Sequence, residues 1–242
     1  MTSGIVEIEN YIQSKEFLDH SNSNGSLQET ALAPQKTSME REIPSTSDYL
    51  VSFSTNAQSY CVGYVDIVNS TKISASLPTS ELSQYYEMFL NSMSKIVEKF
   101  GGKVIKNIGD CLLFYFPNSV NGSDVGLASC LDCGLAMSNA QSIISEEMVT
   151  RKLPKLNYRI SSDFGKVIRM NNSLSSSIDL IGPPVNMCAK INNCAGKNDF
   201  VIGNDLCQVT KKLKTYQFAE IQGVDVGFKY PYPVYRVSSS YR

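Results

Sequence analysis

Apolar residues recur at every third or fourth position in one long segment of the chain, which predicts an amphipathic helix. Thr79 or Ser80 can cap the start of this helix, and the glycine pair that follows Phe100 can end it. The apolar positions of the segment are Leu82, Tyr86, Phe89, Met93, Ile96 and Phe100. Since this spacing gathers the side chains on one face, we expect that face to be buried in a core.

Short apolar runs bounded by turn residues predict strands. Tyr60–Val65 is rich in aromatic and β-branched residues, as buried strands are. Lys103–Ile108 and Cys111–Phe116 are separated only by Gly109-Asp110, which predicts a hairpin.

The second half of the chain repeats this alternation. A helix is predicted over Asp124–Ile144, followed by a second hairpin of Tyr158–Ser161 with Lys166–Arg169 around Asp163-Phe164-Gly165. The serine-rich stretch Ser173–Ser177 is predicted to be a loop. The remaining predicted elements are a helix over Pro184–Cys194 and strands over Phe200–Ile202 and Val234–Val237.

The order β-α-β-β-α-β indicates the fold class. We expect an α+β domain with a ferredoxin-like sheet, helices on one face and a small C-terminal α/β part that extends it. This domain is predicted over residues 58–242. Residues 1–57 are predicted to form a poorly ordered or regulatory extension, because much of this segment is rich in Ser, Asn, Thr and Pro. A disordered tail and a docking segment both remain open for it.

The composition excludes several classes of partner. The chain has 242 residues and a net charge of −1, so it offers no general attraction for nucleic acid. Residues 51–242 hold nineteen basic and fifteen acidic side chains, which suits a small anionic ligand. Seven cysteines at irregular spacing favour reduced thiols and a cytoplasmic location. The sequence contains no apolar run long enough to span a membrane and does not open with a secretory signal.

A single histidine restricts the chemistry further. His20 lies in the polar N-terminal segment, so any reaction in the domain proceeds without imidazole. This excludes catalysis by Ser-His-Asp or Cys-His groups and nearly all histidine zinc sites. The groups that remain available for catalysis are carboxylates, lysines, cysteines and metal ions held by oxygen ligands.

Two acidic residues stand at the ends of predicted neighbouring strands. Asp66 directly follows Tyr60–Val65, and Asp110 lies in the turn of the first hairpin. Either acid alone is typical of ordinary loop chemistry. In a ferredoxin-like sheet, however, both carboxylates project from one edge, where they repel each other unless a cation lies between them. Mg²⁺ is suited to such a place, because it binds one or two carboxylates together with substrate phosphates.

Three motifs resemble those of the class III nucleotidyl cyclases. Tyr64-Val-Asp-Ile-Val-Asn-Ser-Thr71 resembles the opening metal motif of that family, and Gly101-Gly-Lys-Val-Ile-Lys-Asn-Ile-Gly-Asp110 resembles its second metal motif. Asp179-Leu-Ile-Gly-Pro-Pro-Val-Asn-Met-Cys-Ala-Lys190 resembles its third signature. The three motifs occur in the family's order and separation, and the resemblance covers residues 59–239.

The resemblance implies a two-metal reaction. Asp66 and Asp110, with the backbone carbonyl of Ile67, would bind two Mg²⁺ ions, or Mn²⁺, and the ribose 3′-hydroxyl would attack the α-phosphate to give a 3′,5′-cyclic nucleotide and pyrophosphate. Family sites form between two subunits, so a head-to-tail homodimer is implied.

The resemblance also implies which base is read. Lys106 and Asp179 match the two base-reading positions, which are Lys and Asp in family members that take ATP. A lysine donates to adenine N1 and a carboxylate accepts from the adenine amine, whereas guanine presents the reverse pattern. The expected activity is therefore an adenylate cyclase that acts in signal transduction, and a guanylate cyclase is disfavoured.

Three places depart from the family pattern, and one of them is the glycine-rich strand of the family, which is altered here to Arg159-Ile-Ser-Ser-Asp-Phe-Gly165. Asn186 matches the residue that orients the ribose, but the arginine expected four residues later is Lys190. Lysine keeps the charge and loses the planar fork that grips two phosphate oxygens. A Lys-Gly pair expected nine residues before Tyr235 is Val226-Gly227. These departures predict slow catalysis, and they keep open the alternative of a weak or inactive ATP-binding and dimerisation module.

Overall fold

The computed structural model describes residues 51–172, 175–227, 229 and 231–240, so residues 1–50 of the predicted extension lie outside it. The strands are β1 Val51–Phe53, β2 Gln58–Ile67, β3 Lys103–Ile108, β4 Cys111–Phe116, β5 Tyr158–Asn172, β6 Ser175–Ile181, β7 Phe200–Gly203, β8 Tyr216–Glu220 and β9 Val234–Ser239. The α-helices are α1 Ser70–Ser76, α2 Thr79–Lys99, α3 Asp124–Thr150, α4 Pro183–Asn192 and α5 Asn204–Thr210.

The sheet confirms the predicted fold class. Its strand order is β3-β4-β2-β5-β7-β9-β8, with β1 and β6 paired to the far half of β5. The first four of these strands are antiparallel neighbours in the ferredoxin-like order. β7 joins β5 in parallel, and β9 and β8 complete the C-terminal extension of the sheet.

Side chains alternate between two cores along β2. Cys61, Val65 and Ile67 face the main core, where the long helices α2 and α3 pack on one side of the sheet. Val62 faces the other side, where Cys188 of the short helix α4 packs against it. Because the period of a strand is two, Asp66 belongs to the face of Val62, away from the long helices.

Helix α2 ends where the sequence predicts. Gly101 has a φ of 74°, and the Gly102 N–H donates to the Val97 carbonyl at 2.9 Å, which closes the last turn. The chain then passes directly into β3, and the left-handed Gly109 (φ 61°) carries it into β4. Asp110 is thereby placed at the tip of this hairpin.

The prediction of a second hairpin is wrong. Residues 158–172 form one continuous strand, β5, because β2 pairs with it along its length from Tyr158 to Val167. Asp163 is tolerated in mid-strand because its buried carboxylate accepts hydrogen bonds from the Tyr232 hydroxyl at 2.8 Å and the Leu206 N–H at 3.2 Å. Burial still raises the pKa of Asp163 to about 7.

Several short elements were not predicted, namely β1, β6, β8, α1 and α5. β6 includes Ser175–Ser177 of the serine-rich stretch that was expected to be a loop, and it pairs with β5, whereas residues 173–174 lie outside the described residues. β1 lies within the segment assigned to the extension and pairs with β5 through Val51–Phe53. Among the described residues, every helix is too short or too polar to cross a lipid bilayer.

Gly134 permits a close approach between α3 and the sheet. A Cβ at this position would lie 2.4 Å from the ring of Phe200 on β7, and both residues are in the buried core. The ring cannot move aside easily, because it is itself 2% exposed.

We therefore predict that Gly134→Ala destabilises the protein by about 1–3 kcal/mol, although alanine favours helices in general. Urea unfolding of the variant and the wild type measures this. Ser142→Ala, an exposed change on the same helix, is the control and should stay within about 0.5 kcal/mol of wild type. A Gly134→Ala protein as stable as the wild type would contradict the packing described here.

Candidate active site

Asp66 and Asp110 meet at one end of β2. Asp66 is the penultimate residue of that strand. It pairs with Cys111 on β4, and Cys111 directly follows Asp110 in the chain. The Ile67 N–H donates to the Asp110 carbonyl at 3.3 Å, which ties the hairpin tip to the end of β2. The structure thus brings together the two acids that the sequence predicted to be neighbours.

The two carboxyl groups interact strongly. Burial, the negative charge of Asp110 and a side-chain hydrogen bond with Asp110 together raise the pKa of Asp66 from 3.8 to about 6. Burial also raises the pKa of the nearby Tyr64 hydroxyl well above its usual range, and Cys111 adds to this effect. The site therefore favours either a proton or a cation between the two acids.

Arg159 on β5 is a site residue that the sequence analysis missed. It is the cross-strand partner of Asp66 on the side opposite β4, and its positive charge lowers the pKa of Asp66. Its Nε is buried and has no hydrogen-bond partner among the described residues. Only the register between β2 and β5 reveals this neighbour, and the wrongly predicted hairpin concealed it.

The residues present fit a magnesium site of the kind that substrate completes. Within the described part of the chain, no three His, Cys, Asp or Glu side chains are grouped so as to hold a metal. An ion bound by Asp66 and Asp110 would therefore take its other ligands from backbone carbonyls, water and phosphate, which is how Mg²⁺ usually binds. A cleft of about 470 Å³ lies beside Asp110 and is lined also by Ser70, Thr71 and Tyr86, but not by Asp66.

A second pair of predicted residues is in direct contact. The Lys106 ammonium on β3 forms an ion pair with Oδ2 of Asp179 on β6. The other carboxylate oxygen, Oδ1, accepts the Leu180 backbone N–H at 2.8 Å. Because the lysine side chain is 43% exposed and the aspartate side chain 22% exposed, the pair is accessible to a ligand.

Asn186 and Lys190 lie on the exposed side of α4. The opposite side of this helix is fixed to the sheet, since the Ser161 hydroxyl donates to the Cys188 carbonyl at 2.9 Å. The Lys190 ammonium donates to the Val226 carbonyl at 3.3 Å, and the left-handed Gly227 follows. The position where a lysine was expected is thus a valine that is 8% exposed, held beside Lys190.

The predicted residues therefore form three groups. In one group, Lys106 with Asp179, the side chains form an ion pair, and in another, Asp66 with Asp110, they are near enough for Asp110 to raise the pKa of Asp66. The third, Asn186 with Lys190, faces outward from α4.

Comparison of the sequence with known proteins finds matches to nucleotide cyclases. The family model described as "Adenylate and Guanylate cyclase catalytic domain" matches residues 53–236. A cytidylate cyclase of Staphylococcus aureus is 24% identical over 205 residues, covering 78% of this chain and 47% of that protein. A photoactivated adenylate cyclase subunit beta-like protein of Euglena gracilis is 25% identical over 144 residues, covering 57% of this chain and 16% of that protein. The chain thus spans half the length or less of these relatives.

Among solved structures, the chain is similar to the adenylyl cyclase CyaB from P. aeruginosa. The TM-score is 0.69 at 22% identity, and the match covers 77% of this chain and 97% of the other. At this level of identity the likeness is one of fold.

The raised pKa of Asp66 generates a prediction for the metal-free protein. The folded chain holds the Asp66 proton more tightly than the unfolded chain, so the free energy of unfolding falls as the pH rises from about 4 to about 6. Above pH 6, Asp66 is ionised and this loss of stability is complete. Asp66→Asn removes the ionisable carboxyl and with it this loss of stability. In EDTA, the melting temperature of the variant should be about 1–3 °C above that of the wild type at pH 7.5 and equal to it below pH 4.

Thermal unfolding across pH 3.5–8 measures the difference. Asp124→Asn, at an exposed acid paired with Lys212, is the control and should not show the gain. An Asp66→Asn protein that melts at or below the wild type at pH 7.5 would contradict the repulsion between Asp66 and Asp110.

Proposed function

The chain belongs to the adenylate and guanylate cyclase catalytic domain family, and from this premise we propose that it is an adenylate cyclase. The reaction would convert ATP to 3′,5′-cyclic AMP and pyrophosphate. The observation that carries the choice of ATP over GTP is the contact between Lys106 and Asp179, which offers a hydrogen-bond donor beside an acceptor.

The acid pair would hold the catalytic metal. Asp66, Asp110 and the backbone carbonyl of Ile67 are the proposed ligands of two Mg²⁺ ions, with Mn²⁺ as a substitute. When bound, the ions would lower the pKa of the ribose 3′-hydroxyl and neutralise the triphosphate. Arg159, whose charge already lies beside Asp66, would add positive charge from the β5 side of the acid pair. The raised pKa of Asp66 implies that binding of the metal displaces a proton from the site near pH 6.

The Lys106 and Asp179 side chains would select the base of the nucleotide. The Lys106 ammonium would donate to adenine N1, and the Asp179 carboxylate would accept from the adenine amine. The Leu180 N–H fixes one oxygen of Asp179, so the carboxylate is held in place before the base arrives. Guanine would put a donor against the lysine and an acceptor against the carboxylate, which leaves polar groups unpaired.

Asn186 and Lys190, together with Lys106 and Asp179 of the same chain, would act on the nucleotide whose metal ions are held by Asp66 and Asp110 of a second copy. Asn186 would orient the ribose, and Lys190 would stabilise charge on the phosphate in the transition state. Their exposed position on α4, whose other side is packed on the sheet, supports a site shared between two chains. We therefore propose a head-to-tail homodimer with two equivalent sites.

The contact between Lys190 and Val226 supports a slow enzyme. A single ammonium group stands where the family pattern has an arginine and a nearby lysine, and it is already bonded to a carbonyl. A weak or inactive module that binds ATP and dimerises is therefore the alternative within the same fold.

A cytidylate cyclase is the second candidate function. The observation in its favour is the relative from Staphylococcus aureus that carries this name and matches 78% of the chain. The proposed chemistry of the metal site is the same for either nucleotide.

The wider context of the domain is also a proposal. Residues 58–242 would form the catalytic unit and residues 1–57 a regulatory or poorly ordered extension, with the family match beginning at residue 53. A cytoplasmic signalling role agrees with the predominantly buried, unlinked cysteines.

Product formation by the purified chain tests the proposed function. With ATP and Mg²⁺ or Mn²⁺, we expect cyclic AMP by mass spectrometry, and we expect Asp66→Ala and Asp110→Ala each to lower the rate by at least about 10²-fold. Asp124→Ala, at an exposed acid on α3, is the matched control and should keep the wild-type rate.

Two outcomes would count against the proposal. Full activity of a folded Asp66→Ala or Asp110→Ala protein would refute the two-metal mechanism. Absence of any cyclic product, together with a rise in melting temperature on addition of ATP, would favour the binding module.

A further inference from the structure

A loop of residues 221–233 joins β8 to β9 and packs against α4. Val226 of this β8–β9 loop shares an apolar cluster with Ile191 of α4. Its carbonyl accepts the hydrogen bond from the Lys190 ammonium at 3.3 Å, and a Cβ on Gly227 would lie only 3.8 Å from that nitrogen. The loop therefore contacts the end of the Lys190 side chain.

A lysine depends on such a contact more than an arginine does. Its ammonium stands at the end of four flexible carbons, whereas the guanidinium of arginine is a rigid planar fork. Lys190 lines a hollow of about 360 Å³ together with Val224–Val226 of the loop, so its ammonium has room for several positions. The Val226 carbonyl fixes one of them, and a shift of the loop would move the charge that we propose for the phosphate.

Tyr232 anchors the loop near its end. The Tyr232 hydroxyl donates to Oδ2 of Asp163 at 2.8 Å and accepts the Asp205 N–H at 3.1 Å. Oδ1 of Asp163 accepts the Leu206 N–H at 3.2 Å. Since Asp163 lies inside β5 and is only 1% exposed, its bond to Tyr232 ties the loop to the centre of the sheet.

The carboxylate of Asp163 is tightly packed and costly to bury. A Cβ on Gly203 of the neighbouring β7 would lie 2.6 Å from the carboxyl carbon, so this strand packs directly against the carboxylate. Burial raises the pKa of Asp163 to about 7, because the ionised form is disfavoured there. An apolar side chain would avoid that cost, but it could not accept the hydroxyl. The carboxylate thus supplies a fixed acceptor for Tyr232.

We propose that Asp163 and Tyr232 are positioning residues for the cyclase reaction, which hold the Lys190 ammonium in place through the β8–β9 loop. Both act through the Val226 carbonyl, without contact to the nucleotide. The inference rests on the proposed function, because it takes the role of Lys190 from there. It goes further by adding two residues that lie outside the three groups of predicted site residues.

Steady-state cyclase assays of Tyr232→Phe, which removes only the hydroxyl, test the inference. We expect kcat to fall by on the order of 10-fold and KM for the nucleotide to change by less than about threefold, since the misplaced charge acts in the transition state. Asp163→Asn, which can still bond to the Tyr232 hydroxyl, should keep kcat within about threefold of wild type. Tyr235→Phe makes the same change on β9, where the ring packs toward the main core, and is the control that should keep the wild-type kcat.

A second comparison separates positioning from a general loss of structure. In a Lys190→Ala background, Tyr232→Phe should lower kcat by less than about twofold, because the group that it positions is already absent. A general loss of structure would lower kcat by the same factor in both backgrounds. If Tyr232→Phe does not fold, Asp163→Leu with Tyr232→Phe replaces it, since removal of both partners leaves neither of them unpaired.

Hydrogen–deuterium exchange tests the anchoring of the loop without turnover. Amides of residues 221–233 should exchange about 10-fold faster in Tyr232→Phe than in wild type, while those of α3 stay unchanged. If the wild type forms no cyclic product, the proposed function fails by that result alone, and the exchange still decides whether Asp163 and Tyr232 hold the loop.

Three results would overturn the inference. These are a wild-type kcat in folded Tyr232→Phe, an equal loss of kcat with and without the Lys190 side chain, and unchanged exchange of the loop amides.

Discussion

The repulsion between Asp66 and Asp110 is the constraint on which the site depends. Two carboxylates brought together in a partly buried place favour a shared proton or a bound cation, and the raised pKa of Asp66 expresses that preference. The fold imposes the contact through backbone pairing, because β2 lies between β4 and β5 and its end is bonded to the hairpin tip. Arg159 relieves part of the repulsion from the other side. The ligand that we propose for these three charged side chains is a metal ion with its nucleoside triphosphate.

Residues with different proposed roles lie on different elements of the fold. The acids proposed to bind metal lie at the end of β2, and the pair proposed to read the base joins β3 to β6. The side chains proposed to act on ribose and phosphate lie on α4 and face outward. A single chain thus carries all the residues of the proposed reaction, and those on α4 are exposed. In the proposed dimer, association of two chains is therefore part of the chemistry.

Much of this arrangement could be predicted from the sequence, and the failures have physical causes. The period of α2 and the Gly109-Asp110 turn located the first half of the fold, because local patterns determine both. The continuous strand β5 could not be foreseen, since Asp163 and Gly165 resemble a turn and the bonds that stabilise Asp163 come from Tyr232 and Leu206, far along the chain. The missed role of Arg159 follows from the same error. The polar strand β6 lacks a hydrophobic pattern, so only its pairing with β5 identifies it.

Mixing two inactive variants tests the shared site most directly. Asp66→Ala and Asn186→Ala damage different halves, so an equal mixture should contain heterodimers with one intact site and recover about a quarter of the wild-type rate of cyclic nucleotide formation. A mixture of Asp66→Ala with Asp110→Ala, which damage the same half, should recover none. If tagged copies show that heterodimers form and the first mixture still stays as inactive as its components, the site is not shared between chains and the account is wrong.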